Sequence, residues 1–175
     1  MKKILTVVLI ILAILIVGIL IFSTNVEVEY VPEEEISNID LRKTMVTLYF
    51  QNAENKELQV ETRLIDSKEL LLDPYTKLIN LLFDGPENSY LLKTVPEGTK
   101  VLGCELIGEC LNVNLSEEFI NNSSEDETEK NNYIYSIVNT LTELKEVNSV
   151  KFLIEGEEVD GLNTPFSCKK GDNVI

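Results

Sequence analysis

Hydrophobic residues follow two patterns along this chain, and the first is a nearly uninterrupted apolar run over residues 4–22. A run of nineteen residues is long enough to cross a bilayer as a helix. It is also longer than the apolar region of a typical signal peptide, and residues 21–23 fit a cleavage site poorly. We therefore predict an uncleaved transmembrane anchor over residues 4–22, with a cleaved signal peptide as the alternative.

The charges on either side of this run predict its orientation. Lys2 and Lys3 precede it, so residues 1–3 are expected in the cytoplasm and everything after residue 22 on the extracytoplasmic side. Residues 23–43 are polar and acidic, which predicts a linker that holds the following domain away from the bilayer. These patterns predict a single-pass protein of the cytoplasmic membrane with its N-terminus inside.

The second pattern is an alternation of apolar and polar residues, which predicts strands with at least one buried face. It occurs at residues 45–50, 58–65, 100–106, 110–115 and 150–154. Two helical patterns lie between these strands, so the predicted order is ββαββαβ. This order is typical of a mixed α/β (α+β) domain in which two helices pack on a sheet. We assign it to residues 44–166, followed by a tail over residues 167–175.

Both predicted helices are amphipathic. The first has Asp73 as its N-cap and Pro74 at its first position, and Gly85 ends it. The second follows a capping box at residues 124–127 and continues to Leu144. Its predicted apolar face consists of Tyr133, Ile134, Ile137, Val138, Leu141 and Leu144. The opposite face, expected to be in solvent, consists of Glu129, Lys130, Asn132, Ser136, Asn139, Thr140 and Glu143.

The size of the chain suits one domain. Of its 175 residues, 44% are hydrophobic, and what remains after the anchor and linker is enough for one core. We expect that core to contain Val46, Leu48, Phe50, Leu78, Leu82, Val113, Ile137, Val138, Leu141 and Phe152.

Composition excludes several classes of function. The net charge is −15, which opposes nucleic-acid binding because such binding depends on neutralising phosphates. Histidine is absent, which removes the usual general base, the Ser–His and Cys–His nucleophiles and most zinc sites. We predict no enzymatic activity and no catalytic, cofactor-binding or metal site. A hydrolase that uses carboxylates alone is the enzymatic alternative, although thirty acidic residues give no basis for choosing a pair.

Cys104 and Cys110 are candidates for a disulfide, since an extracytoplasmic domain can form one. A hairpin with its loop at residues 106–108 would place the two cysteines opposite each other, within reach of a disulfide. A loop at residues 107–108 would instead pair Cys104 with Leu111. That second register would give one apolar face made of Leu102, Cys104, Leu111 and Val113, and the sequence leaves both registers open.

Several of these segments together resemble the GerMN, or Germane, domain of sporulation and spore-germination proteins. The matching segments are VTLYF (46–50), LINLLFDGP (78–86), VPEGTKVL (95–102), LNVNLS (111–116), SIVNTLTEL (136–144) and VKFLIEG (150–156). The resemblance lies in their order and spacing. It departs from the best-known member, which has two such domains in tandem and a lipid-modified cysteine instead of an anchor.

The resemblance implies a compact α/β domain outside the cytoplasmic membrane of a Gram-positive bacterium, similar in fold to the ring-building modules of envelope secretion assemblies. It implies an interaction module that assembles or positions a complex of cell-envelope proteins during sporulation or germination, without cofactors. The alternative is a ligand-binding or sensory domain. Such a domain would hold a small molecule or cell-wall fragment near residues 84–86 and the turn at residues 96–98.

Overall fold

The computed structural model of the protein describes residues 43–167, which belong to one compact unit. The predicted anchor at residues 4–22, the linker except Lys43, and the tail from residue 168 onward lie outside the described residues. In the part of the chain that the structure describes, every helix is too short or too polar to span a membrane.

The fold contains both classes of element in the predicted order, with short additional ones. In chain order the elements are β1 (Lys43–Asn52), β2 (Leu58–Asp66), α1 (Ser67–Leu72), α2 (Pro74–Asp84), β3 (Leu91–Leu92), β4 (Val101–Ile107), β5 (Cys110–Leu115), α3 (Glu118–Asn121), α4 (Glu127–Leu141), β6 (Ser149–Ile154) and β7 (Phe166–Ser167). The predicted mixed α/β class is confirmed, and α2 and α4 are the two long helices. The patterns did not indicate α1, β3 or β7.

The strands form two sheets, whereas the sequence pattern suggested one. The first sheet has the order β2-β1-β3, and the second has the order β4-β5-β6-β7. Strands β1 and β2 form a long antiparallel hairpin, while β5 and β6 run parallel. Parallel neighbours need a crossover connection, and α4 is the helix that supplies it.

The main core is shared by both sheets and the two long helices. All ten residues predicted for the core are buried, so this prediction is confirmed. Helix α2 packs against β1, β4 and α4, and α4 packs against β1, β6 and β7.

The predicted solvent face of α4 is wrong at three positions. Ser136, Asn139 and Thr140 are all buried, because α4 contacts elements of both sheets. Their polar atoms are used inside the domain: Ser136 Oγ donates to the Thr94 carbonyl at 3.3 Å, and Thr140 Oγ1 accepts the Tyr49 N–H at 3.2 Å. Thr140 therefore satisfies a backbone donor on β1 as a neighbouring strand would.

The ends of the long helices follow local signals. The Asp73 carboxylate accepts the Thr76 N–H at 3.0 Å, and Gly85 ends α2 with φ at 95°, as predicted. Helix α4 begins later than the predicted capping box suggests. Its N-cap is Asp126, which accepts the Thr128 N–H at 2.8 Å, while the Ser124 hydroxyl accepts the Asp126 N–H at 3.1 Å.

Candidate functional site

The turn after α2, one of the two turns suggested as a ligand site, is bound by side chains of β2. The Arg63 guanidinium donates to the Gly85 carbonyl at 2.6 Å and to the Leu81 carbonyl at 3.4 Å. The Glu61 carboxylate accepts the Glu87 N–H at 3.0 Å and the Asn88 N–H at 2.9 Å. These two carbonyls and two N–H groups at the turn are therefore engaged within the domain.

Arg63 and Glu61 also bind each other, with 2.5 Å between the guanidinium nitrogen and the carboxylate oxygen. The guanidinium lies 5.5 Å from the centre of the Phe50 ring, which is a cation–π distance. Burial acts to raise the pKa of Glu61, but the hydrogen bonds from the Asn88 N–H, from Arg63 and from the Glu87 N–H together hold it below its ordinary value. Glu61 is therefore ionised at neutral pH, and its carboxylate holds the turn through hydrogen bonds.

The second suggested turn is held by different elements. The Thr99 hydroxyl donates to the Pro96 carbonyl at 2.7 Å, and the Asn122 side chain, just after α3, donates to the Glu97 carbonyl at 2.8 Å. Gly98 has φ at +83°, which few residues other than glycine adopt easily. These contacts give each turn a structural role. The side chains named as holding the first turn differ from those that hold the second.

The two cysteines of the β4–β5 hairpin do not face each other. Cys104 pairs with Val113, and Ile107 pairs with Cys110, so the connecting loop is residues 108–109. Neither register considered from the sequence has formed, and both thiols are free. A disulfide between them would require a different register. Burial, moderated by a hydrogen bond with Thr76, raises the pKa of the Cys104 thiol to about 11.

A cavity of about 650 Å³ lies elsewhere, between the first half of α4, the short helix α3 and the loop at residues 159–162 with Phe166. We call it the α4 groove. Its apolar lining includes Phe119, Ile120, Tyr133, Ile134, Leu162 and Phe166. Its polar lining includes Glu125, Glu127, Lys130 and Asp160. Sequence reasoning missed it because no helix or strand was predicted after residue 154, although Leu162 and Phe166 are apolar.

Contacts between aromatic rings support the apolar lining of the groove. Phe119 stacks on Phe152 with 5.9 Å between ring centres, and Phe152 contacts Phe166 at 5.8 Å. Tyr135 meets Phe166 edge-on at 6.1 Å. Phe152 is fully buried, whereas Ile120 is 41% exposed and lines the groove. Such aromatic contacts favour a preformed surface for apolar side chains.

The rim of the groove is acidic. Glu125, Glu127 and Asp160 are exposed, and the Lys130 ammonium donates to the Glu127 carboxylate at 2.7 Å. On the neighbouring surface, Lys56 forms ion pairs with the N-cap carboxylate of α4 and with Glu129. The groove therefore combines an apolar floor with net negative charge at its edge.

Among the described residues, the titratable side chains that line the groove are Glu125, Glu127, Lys130, Tyr133 and Asp160. The chain contains no histidine to act as a general base beside its serines. Within residues 43–167, no three His, Cys, Asp or Glu side chains are placed to hold a metal ion together. Burial, with the nearby carboxylates of Glu129 and Asp126, raises the pKa of Tyr133, so its phenol stays neutral at physiological pH.

Comparison with known sequences decides the family. The profile of the Germane family, described as sporulation and spore germination, matches residues 47–160. The chain belongs to the Germane family. That description names biological processes and no enzymatic reaction. A search among curated proteins found no significant match.

Solved Germane structures agree with the fold. The tandem GerMN domains of the sporulation protein GerM from Bacillus subtilis are 27% identical, with a TM-score of 0.58. That match covers 73% of this chain and 45% of the tandem structure, so the chain spans less than half of it. The first GerMN domain of the same protein is 20% identical with a TM-score of 0.58, covering 71% of this chain and 94% of that domain, and it supports the fold alone.

Proposed function

We propose that this Germane protein is a membrane-anchored, extracytoplasmic interaction module that assembles or positions a complex of cell-envelope proteins in sporulation or spore germination. The observation that carries the proposal is the α4 groove, an apolar surface on a domain whose family is described by sporulation and germination. The predicted anchor at residues 4–22 supports the location, and the charge of −15 argues against nucleic acid as the partner.

The groove has the features of a protein-binding surface. Ile120 is 41% exposed beside the half-buried Leu162, so apolar area is available to a partner. Removing apolar area from water contributes about 25 cal/mol per Å², and interface cores depend on such anchors. A polar, charged rim around an apolar centre is the usual anatomy of such an interface.

A small-molecule site is the second candidate, since pockets for small ligands measure roughly 300–1,000 Å³ and the groove measures about 650 Å³. In this alternative the domain is sensory, and the ligand occupies the groove. A rise in melting temperature with a cell-wall fragment would favour it, because a ligand that binds only the folded state stabilises that state.

The test is cross-linking of the tagged full-length protein in growing and in sporulating cells, followed by mass spectrometry. Ile120→Asp places a charge in the groove, and Val60→Asp is the matched control at a 46% exposed position on β2. We expect envelope proteins to be recovered with the wild type and with Val60→Asp, and to be lost with Ile120→Asp. Recovery of no envelope protein from either culture would refute the proposed function.

A further inference from the structure

If the proposed interaction function holds, the unpaired carboxylates of the groove indicate the chemistry of its partner. Asp126 and Glu129, near the start of α4, share the Lys56 ammonium at 3.2 and 3.4 Å. Glu125 and Asp160 line the groove itself, and within residues 43–167 neither has an ion-pair partner. Among the described residues, lysines thus pair with Asp126 and Glu129 beside the groove and with Glu127 on its rim, whereas Glu125 and Asp160 on the rim are left unpaired.

From this arrangement we propose that the α4 groove binds a short partner segment whose apolar side chains enter the groove and whose flanking Lys or Arg residues pair with Glu125 and Asp160. The apolar lining sets the first requirement, since a polar side chain buried there without a partner costs free energy. The rim sets the second, since an acidic segment would bring like charges together.

The length of the groove limits how many apolar side chains can enter. On α4 it extends from Glu127 to Ile134, which at 1.5 Å per residue is about 10 Å, or two helical turns. Two apolar side chains fit within that length, since they lie about 5.4 Å apart when separated by one helical turn and about 6.8 Å apart when separated by two residues of an extended strand. A segment with two apolar anchors and a basic residue on each side matches both the floor and the rim.

Electrostatics add selectivity to this fit. The chain carries 30 acidic and 15 basic residues, so its field attracts a basic segment before contact. Lys130 lies on the rim but is held by Glu127, which weakens its repulsion of an incoming cation. Reversing both unpaired rim charges removes two attractions and adds two repulsions, so it should weaken binding about tenfold.

The experiment places a photoreactive amino acid at Ile120 of the full-length protein and, as a control site, at Val60. Membranes are irradiated, and the cross-linked peptide is identified by mass spectrometry. The rim variant Glu125→Lys/Asp160→Lys is compared with Glu54→Lys/Glu105→Lys, which makes the same change of net charge at two exposed positions outside the groove.

We expect Ile120 to cross-link a segment with at least two apolar and two basic residues, with a yield that falls about tenfold in the rim variant and stays unchanged in the control variant. An acidic or uncharged segment, a lipid, residues 168–175 of the chain itself, or a yield insensitive to the rim variant would overturn the inference. Protein partners captured only from Val60 would also overturn it while leaving the interaction function intact. Capture of no protein from either site would count against the interaction function as well.

Discussion

Arg63 offers a sharp test of how the domain is held together. Its side chain is 9% exposed, and it binds the Glu61 carboxylate and the carbonyls of Gly85 and Leu81. Arg63→Met keeps most of the stem that packs near Phe50 but removes every one of these hydrogen bonds. It leaves Glu61, whose side chain is 11% exposed, as a partly buried carboxylate without its cation. Breaking a fully buried ion pair costs about 3–5 kcal/mol, and because this pair is partly buried we expect a loss near the lower end, about 3 kcal/mol.

A second substitution separates the loss of charge from the loss of packing. In Arg63→Met/Glu61→Gln the amide oxygen can still accept the N–H groups of Glu87 and Asn88, but no uncompensated charge remains. We expect the double variant to recover part of the lost stability, because a neutral group costs less to bury than an isolated ion. The assay is urea unfolding of residues 23–175, followed by circular dichroism, with the free energy of unfolding compared among the variants.

The pH dependence of the free energy of unfolding supplies a further check on the same variants. The pKa of Glu61 is held below its ordinary value of 4.5 in the folded protein, so its charged state adds stability above pH 4.5, which is lost as the pH falls through the lowered pKa. Without Arg63 that pKa should rise, and the stability gap between wild type and Arg63→Met should narrow below about pH 4.5. The reasoning fails if the free energy of unfolding of Arg63→Met lies within about 1 kcal/mol of the wild-type value at pH 7. It also fails if adding Glu61→Gln to Arg63→Met restores none of the lost stability.

Two further predictions follow from burial. Leu141→Asn should lower the free energy of unfolding by about 3–5 kcal/mol in the same urea assay. Leu141 is fully buried, so asparagine would lose apolar contacts and bury its amide. A free energy of unfolding equal to that of the wild type would show that α4 is misplaced. With the pKa of Cys104 raised to about 11, roughly one thiol in a thousand is ionised at pH 8. In a Cys168→Ser background, the Cys110→Ser protein should therefore react with Ellman's reagent more slowly than the Cys104→Ser protein, and equal rates would contradict this burial.

Local signals in the sequence determined most of the element boundaries. Asp73 and Gly85 act on backbone groups within a few residues of themselves, so the limits of α2 were predictable without knowledge of its neighbours. Alternation likewise identified β1 and β5, since the side-chain period of a strand is a property of the strand itself. The ten buried core residues followed from these periods.

Tertiary structure decided what depends on distant neighbours. The pattern placed Ser136, Asn139 and Thr140 in solvent, but α4 also contacts the second sheet, and hydrogen bonds inside the domain replace water for Ser136 and Thr140. The pairing of Cys104 with Val113 depended on the register of two strands, for which the sequence allowed two other solutions.

The α4 groove shows the same difference between what local sequence patterns determine and what tertiary packing determines. Each of its apolar side chains was visible in the sequence, but Phe119, Tyr133 and Leu162 come from segments far apart in the chain. A periodic pattern reports only which face of an element is apolar, and it cannot report whether a neighbouring element covers that face. Exposure is set by long-range packing, which is why the elements could be predicted from the sequence and the groove between them could not.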